Sequence, residues 1–185
     1  MVSIDQLYQW NHIMNRSILF FIFVLFTSVA CDKEKITPGD QPEVQQFIQD
    51  LRDGKYSEMT LPTFTPTQIP ALMLYRDEEE MITAFPRNPI SSFYQPEVRL
   101  GIVVLWTIES IRLSQVDGAQ TVMGFPSQNP ALAKRGATTL ELADVASSHK
   151  SAAKAYYDWW KANRNKQFKE YCQTDPLTQT PYRWH

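Results

Sequence analysis

The groups in this chain that could move a proton, hold a cation or attack a carbonyl are few and scattered. Its histidines are His12, His149 and His185. A general base or a zinc ligand at His149 needs a second ligand, a nucleophile or an orienting acid at a matched spacing, and no such spacing occurs. His149 therefore reads as a partly exposed helix residue. Glu109 lies in the most apolar stretch downstream of residue 40, three residues before Arg112. One carboxylate without a second acid, a base or a metal makes no hydrolytic mechanism. An acid and a guanidinium three apart meet on one helix face as an ion pair. Asp77-Glu78-Glu79-Glu80 sets four carboxylates in a row. A calcium loop needs alternating ligands, a turn glycine and a distant closing acid, so this run reads as a solvated turn or helix start. No G-x-S-x-G elbow, P-loop or dinucleotide glycine motif occurs. The expectation is no catalytic residue, no metal and no cofactor, with a hydrolase using Glu109 or His149 as the lesser alternative.

Binding chemistry has two candidates. Tyr156-Tyr157-Asp158-Trp159-Trp160 is the densest aromatic cluster, and exposed tryptophan and tyrosine stack on sugar rings. Consecutive tryptophans on a helix point about 100° apart. They cannot share one flat platform, so core packing for one and partial burial for the other is expected. The second candidate is a near-repeat: Phe85-Pro86-Arg87-Asn88-Pro89 recurs with one insertion as Phe125-Pro126-Ser127-Gln128-Asn129-Pro130. The 40-residue spacing of Phe85 and Phe125 is typical of helical solenoids. The favoured reading is two helix starts built alike, since Asn-Pro suits an N-cap and first helical residue. The other reading is a pair of loops forming a binding edge.

These residues need a scaffold, and the composition supplies one. The chain has 185 residues, 43% hydrophobic and 12% aromatic, with net charge −2. That suits one packed domain. No basic stripe stands out, so nucleic-acid binding has no electrostatic footprint. Helical spacing and punctuation place a helix over 41–53, with Val44, Phe47, Ile48 and Leu51 inward and Gly54 ending it. Thr65-Pro66-Thr67-Gln68 opens another, carrying Ile69, Leu72, Met73 and Tyr75. Val98 to Leu113 reads as a helix buried on most of its circumference. Residues 131–138 read as an exposed loop. Thr138-Thr139-Leu140-Glu141 reads as a capping box opening a long helix through Trp160 to Phe168. Tyr182 and Trp184 of the tail are expected to fold back onto the domain. The expected architecture is all-α: an irregular multi-helix bundle with HEAT-like character in its helical pairs and long proline-rich loops.

The N-terminal stretch is the most specific one. Ile18 to Phe26 is an unbroken apolar run, Ser28-Val29-Ala30-Cys31 follows, and Asp32-Lys33-Glu34-Lys35 comes next. Ser17 to Val29 is too short for the roughly 20 residues that cross a bilayer. This pattern resembles a bacterial lipoprotein signal with its lipobox, although Ser28 stands where such signals most often carry leucine. The resemblance implies a signal peptide over 1–30, with translation starting at Met14 because Met14-Asn15-Arg16 supplies the short basic lead. It implies a lipidated Cys31, a tether over 31–40 and a single domain over 41–185. A lipidated Cys31 leaves Cys172 without a disulfide partner, as a small apolar filler.

With the lipobox, Phe85-Pro86 and Asn88-Pro89, Leu105 to Glu109, Tyr157 to Trp160, and Asp175-Pro176-Leu177 with Tyr182-Arg183-Trp184, the chain resembles an uncharacterised family of small Bacteroides-type lipoproteins. That resemblance carries no activity. It implies a protein held to the outer membrane through Cys31, with both the surface and the periplasmic face open. The expected role is binding or accessory, toward an envelope protein or glycan partner; the alternative is a glycan-binding surface lipoprotein using the 156–160 aromatics.

Overall fold

The computed structural model describes residues 41–119, 121 and 123–185. The expectations for the signal over 1–30, the start at Met14, lipidation at Cys31 and the tether over 31–40 lie outside the described residues. Helix α1, Pro42–Arg52, buries Val44, Phe47, Ile48 and Leu51. Pro42 suits the first turn, where its missing N–H would have had no intrahelical partner. Gly54 follows with φ +68°, a left-handed conformation glycine adopts without penalty. The next segment turns as 3-10 (Pro66–Gln68), α2 (Ile69–Leu72) and 3-10 (Met73–Tyr75). Its start is stitched as the sequence expects: the Thr65 backbone N–H donates to the Gln68 side chain at 2.8 Å.

The chain then makes β1, Met81–Ile82, which pairs antiparallel with β2, Val98–Arg99. Strand β2 runs directly into α3, Leu100–Leu113. Residues Leu100 through Glu109 of α3 are all buried, Ser110 is half-buried, and Ile111 and Arg112 are buried again. A helix apolar on all sides must be surrounded, and α3 is the centre of the main core. Against it pack α1, α2 and α4, Ala146–Asn163, with Ala152, Ala153, Tyr156, Trp159 and Trp160 inward. A short α5, Phe168–Tyr171, and a 3-10 turn, Pro176–Gln179, follow.

The all-α expectation is overturned. Two small antiparallel sheets accompany the helices, so the fold is mixed α/β. Besides β1–β2, β3 (Leu132–Lys134) pairs with β4 (Tyr182–Trp184) in the register Leu132↔Trp184, Ala133↔Arg183 and Lys134↔Tyr182. Ala133 also bridges Leu142 on its other side. Strands of two or three residues are too short to write an alternating pattern into the sequence. Residues 131–138 are accordingly not a wholly exposed loop: Ala131, Leu132 and Ala133 are buried. The capping box at Thr138 is not used either. Lys134 N–H donates to the Glu141 carbonyl and Ala143 N–H to the Leu132 carbonyl, both at 2.8 Å. Those ladder bonds hold 141–143 extended and delay α4 to Ala146. The near-repeat is not a helical pair, because neither Asn-Pro starts a helix. The tail does fold back, as β4.

On α3, Gly101 sits directly against His149 of α4. A Cβ on Gly101 would lie 2.4 Å from His149 Nε2 and 2.5 Å from the Arg76 carbonyl oxygen. The second obstacle is backbone and cannot swing aside. Gly101→Ala is therefore expected to destabilise by about 1–3 kcal/mol, the usual cost of overpacking, read as a lower midpoint in urea unfolding with an unchanged slope. An unchanged midpoint would show that this crossing is loose.

Candidate functional site

Glu109 is buried on α3 and fully engaged. Arg112 Nη2 donates to Oε1 at 2.7 Å and Arg112 Nε to Oε2 at 2.8 Å, a two-point pair. Tyr156 on α4 donates its hydroxyl to Oε2 at 2.7 Å, and Trp184 on β4 donates its indole N–H to that hydroxyl at 2.8 Å. Arg112 Nη1 closes the set on the Cys172 carbonyl at 2.6 Å. Burial first, and then the Glu109 charge, push the Tyr156 hydroxyl well above its ordinary pKa. The pair expected from spacing is present, as part of a larger network that ties α3, α4 and β4 together. Cys172 is fully buried, as the apolar-filler reading holds.

His149 is buried, not partly exposed. It faces Gly101, where the absent side chain makes room for the ring. Its Nε2 lies 2.8 Å from the Arg76 carbonyl oxygen; a carbonyl only accepts, so this nitrogen carries the proton. No serine hydroxyl or carboxylate bonds the ring, and Nδ1 has no partner among the described residues. Burial lowers the imidazole pKa, partly offset by the bond to Arg76.

The acidic run has a structural use that the sequence did not advertise. Glu78 and Glu80 pair with Arg52, Asp77 with Arg76 and Glu79 with Lys150. Its backbone carbonyls accept the first N–H groups of α3: Leu100 N–H to Glu80 and Gly101 N–H to Glu78, at 2.8 and 2.9 Å. Helix α3 has no acid in its own first turn, and carboxylates near a helix N-terminus complement its dipole. No group of three or more metal-ligating side chains occurs among the described residues.

The aromatic cluster is core. Trp159 and Trp160 are each only 6% exposed and Tyr156 is fully buried, so both tryptophans are inside where one was expected to be partly open. Tyr157 is half-buried, with the Arg76 guanidinium 4.5 Å from its ring centroid. No flat platform for a sugar remains there.

The two Asn-Pro loops, by contrast, meet. Asn88 donates its side-chain N–H to the Ser127 carbonyl at 3.2 Å, and the Ser91 hydroxyl donates to Asn129 Oδ1 at 2.8 Å. That bond orients the Asn129 amide, so its Nδ2 donates to His185 Nδ1 at 2.8 Å. Asn129 N–H also donates to the His185 carbonyl, and His185 N–H to that of Ala131. Beneath, Trp106 on α3 donates to the Ser127 hydroxyl and stacks on Phe125 with ring centroids 5.1 Å apart. A cleft of about 150 Å³ opens here, lined by Arg87, Asn88, Ser91, Phe93, Tyr94, Gln95 and Asn129, among others. Of its lining, Phe93 and Tyr94 are exposed, and so is Ile90 in the same loop. A larger groove of about 530 Å³ lies between α4 and residues 174–180. There Lys154 pairs with Asp158, and Asp175 accepts from Leu177 N–H and pairs with Arg135. The paired-loop reading thus describes the geometry better than two helix starts. Tyr94, Gln95 and His185 were missed as parts of it, although Phe93-Tyr94 between Pro89 and Pro96 is a visible aromatic pair in a loop.

Residues 38–185 match the domain of unknown function DUF4943, and the chain belongs to that family. No curated protein and no solved structure matches it.

Two outcomes follow from the buried groups. Glu109→Gln strands the Arg112 charge in the core and is expected to cost about 3 kcal/mol, measured by denaturant unfolding; a fully stable variant would remove the structural role. For His149, the unfolded imidazole takes up a proton near its ordinary value of 6.5, while burial holds the folded one's pKa below that. The unfolded state then binds more protons, so its contribution is full above that pH and lost as pH falls. His149→Gln should flatten the drop in melting temperature between about pH 7 and 5; an identical drop would exclude His149 as its source.

Proposed function

We propose that this DUF4943 chain is a binding or accessory protein of the cell envelope, without catalysis of its own, carried on a lipid at Cys31. The lipobox resemblance supports the anchor and an outer-membrane location, and leaves the two faces of that membrane as alternatives. The observation that carries the binding role is the meeting of the two Asn-Pro loops in a cleft with exposed apolar and aromatic rims. Large side chains left in water beside a polar recess are the usual makeup of a contact surface. The non-catalytic reading draws on the closed shells around Glu109 and His149. Every Glu109 oxygen already accepts from a neighbour. His149 is held against a backbone carbonyl. Neither residue lines the cleft or the α4 groove.

A single preparation tests both parts. Wild-type protein expressed in its host should take up labelled palmitate and sediment with membranes, and Cys31→Ser should do neither. Immobilised wild-type protein should retain a component of detergent-solubilised envelope that Tyr94→Ala releases. Label on the Cys31→Ser chain would overturn the anchor, and equal retention by Tyr94→Ala would move binding away from the cleft.

A further inference from the structure

A groove of about 390 Å³ runs between helix α1 and the loop of residues 56–64. Glu43, Phe47 and Asp50 fall at intervals of four and three along α1, so they share one face. The loop adds Tyr56, Glu58 and Phe64 to the lining. The three rings pack edge to face, with the Phe47 centroid 5.3 Å from that of Tyr56 and 5.7 Å from that of Phe64. Met59, next after Glu58, is left 68% exposed.

Three carboxylates line this apolar groove, and no lysine or arginine does. Acids elsewhere are answered within the chain. The 77–80 run, Glu109 and Asp175 each face a guanidinium or an ammonium. Among the described residues, no ion pair includes Glu43, Asp50 or Glu58. Lys55, the base nearest in sequence, pairs with Asp53 and does not line the groove. Glu43 accepts from Gln68 Nε2 at 2.9 Å, and Asp50 from Gln46 Nε2 at 2.7 Å. A neutral amide holds a carboxylate in place and leaves its charge uncancelled. Tyr56 feels that field. Burial, and then the charges of Glu58 and Asp50, push its hydroxyl pKa up to about 12.

The charges call for a cation, and their layout selects its kind. A bare metal ion needs several ligands at one point. No group of three or more metal-ligating side chains occurs among the described residues. Glu43 and Asp50 stand two turns apart on α1, about 10 Å along its axis. One amine or guanidinium does not reach both. Side chains on one side of an extended segment repeat about every 7 Å, and two long basic side chains cover the span. Their stems pack on apolar surface and their heads are drawn to aromatic rings, which the lining supplies.

We propose that this groove docks a basic segment of a partner protein. One cationic side chain meets Glu43, and another meets Asp50 and Glu58 with its stem on Tyr56 and Phe64. The groove shares no residue with the cleft between the Asn-Pro loops. It is a second contact surface, and Tyr94→Ala should leave it unaffected.

The test titrates the detergent-solubilised full chain with a labelled short peptide alternating arginine and leucine, with its glutamate counterpart and with spermidine. Fluorescence anisotropy reads the affinity. The arginine peptide should bind, more weakly as salt rises, and shift the Tyr56 and Phe64 ring resonances. Asp50→Asn combined with Glu58→Gln should weaken it about tenfold or more, with the melting temperature unchanged. Glu97→Gln combined with Asp117→Asn removes the same charge outside the groove and should cost about twofold at most. No binding of the arginine peptide, or equal binding of the glutamate peptide, would overturn the proposal. Equal losses in the two double variants would reduce it to net charge and overturn it as well. Spermidine binding as tightly as the peptide would assign the groove to a polyamine instead.

Discussion

The constraint on which the described structure depends is that α3 carries two charges into an apolar core. Ten consecutive residues from Leu100 to Glu109 are buried, and a helix so placed has no wet side on which to leave an acid or a guanidinium. A buried pair survives only when its geometry is good and its remaining hydrogen-bonding capacity is filled. Glu109 and Arg112 meet that condition by recruiting Tyr156 from α4, Trp184 from β4 and the Cys172 carbonyl. The helix thereby dictates where three later parts of the chain must lie.

The candidate cleft follows from the same constraint. Trp184 is pinned to Tyr156, and the register Leu132↔Trp184 sets β4 beside β3. His185, the next residue, is then delivered to Asn129. Asn129 in turn takes the Ser91 hydroxyl, and Ser127 takes the Asn88 amide and the Trp106 indole. A polar network in the core and a surface recess are therefore parts of one arrangement. The groups with the most reactive-looking chemistry are spent in building it. At the edge of the recess the rings of Phe93 and Tyr94 are left exposed.

Some of this was legible in the chain. Helix α1 shows in the spacing of Val44, Phe47, Ile48 and Leu51, and its end in Gly54. The buried character of α3 shows in its unbroken apolar run, and the Glu109–Arg112 pair in a three-residue interval. Each is a local signal, written within one or two helical turns. The strands were not legible, because β1 to β4 each span two or three residues and owe their pairing to partners far along the chain. The burial of His149 was hidden as well: it depends on Gly101, a residue on another helix whose missing side chain makes the space. The acidic run looked like a solvated turn because its service to α3, through backbone carbonyls, is independent of side-chain type.

By itself, then, the amino-acid order determined the helical segments, the absence of spaced catalytic motifs and the lipobox-like N-terminus. Only the tertiary structure decided that the fold is mixed α/β, that both tryptophans of the aromatic cluster are inside, and that the two Asn-Pro loops face each other. The reason is one of range. Periodicity and capping are set by neighbours a few residues apart. A cleft is set by residues some 40 positions apart, Asn88 and Ser127 or Ser91 and Asn129, and they meet only because the core between them has been filled.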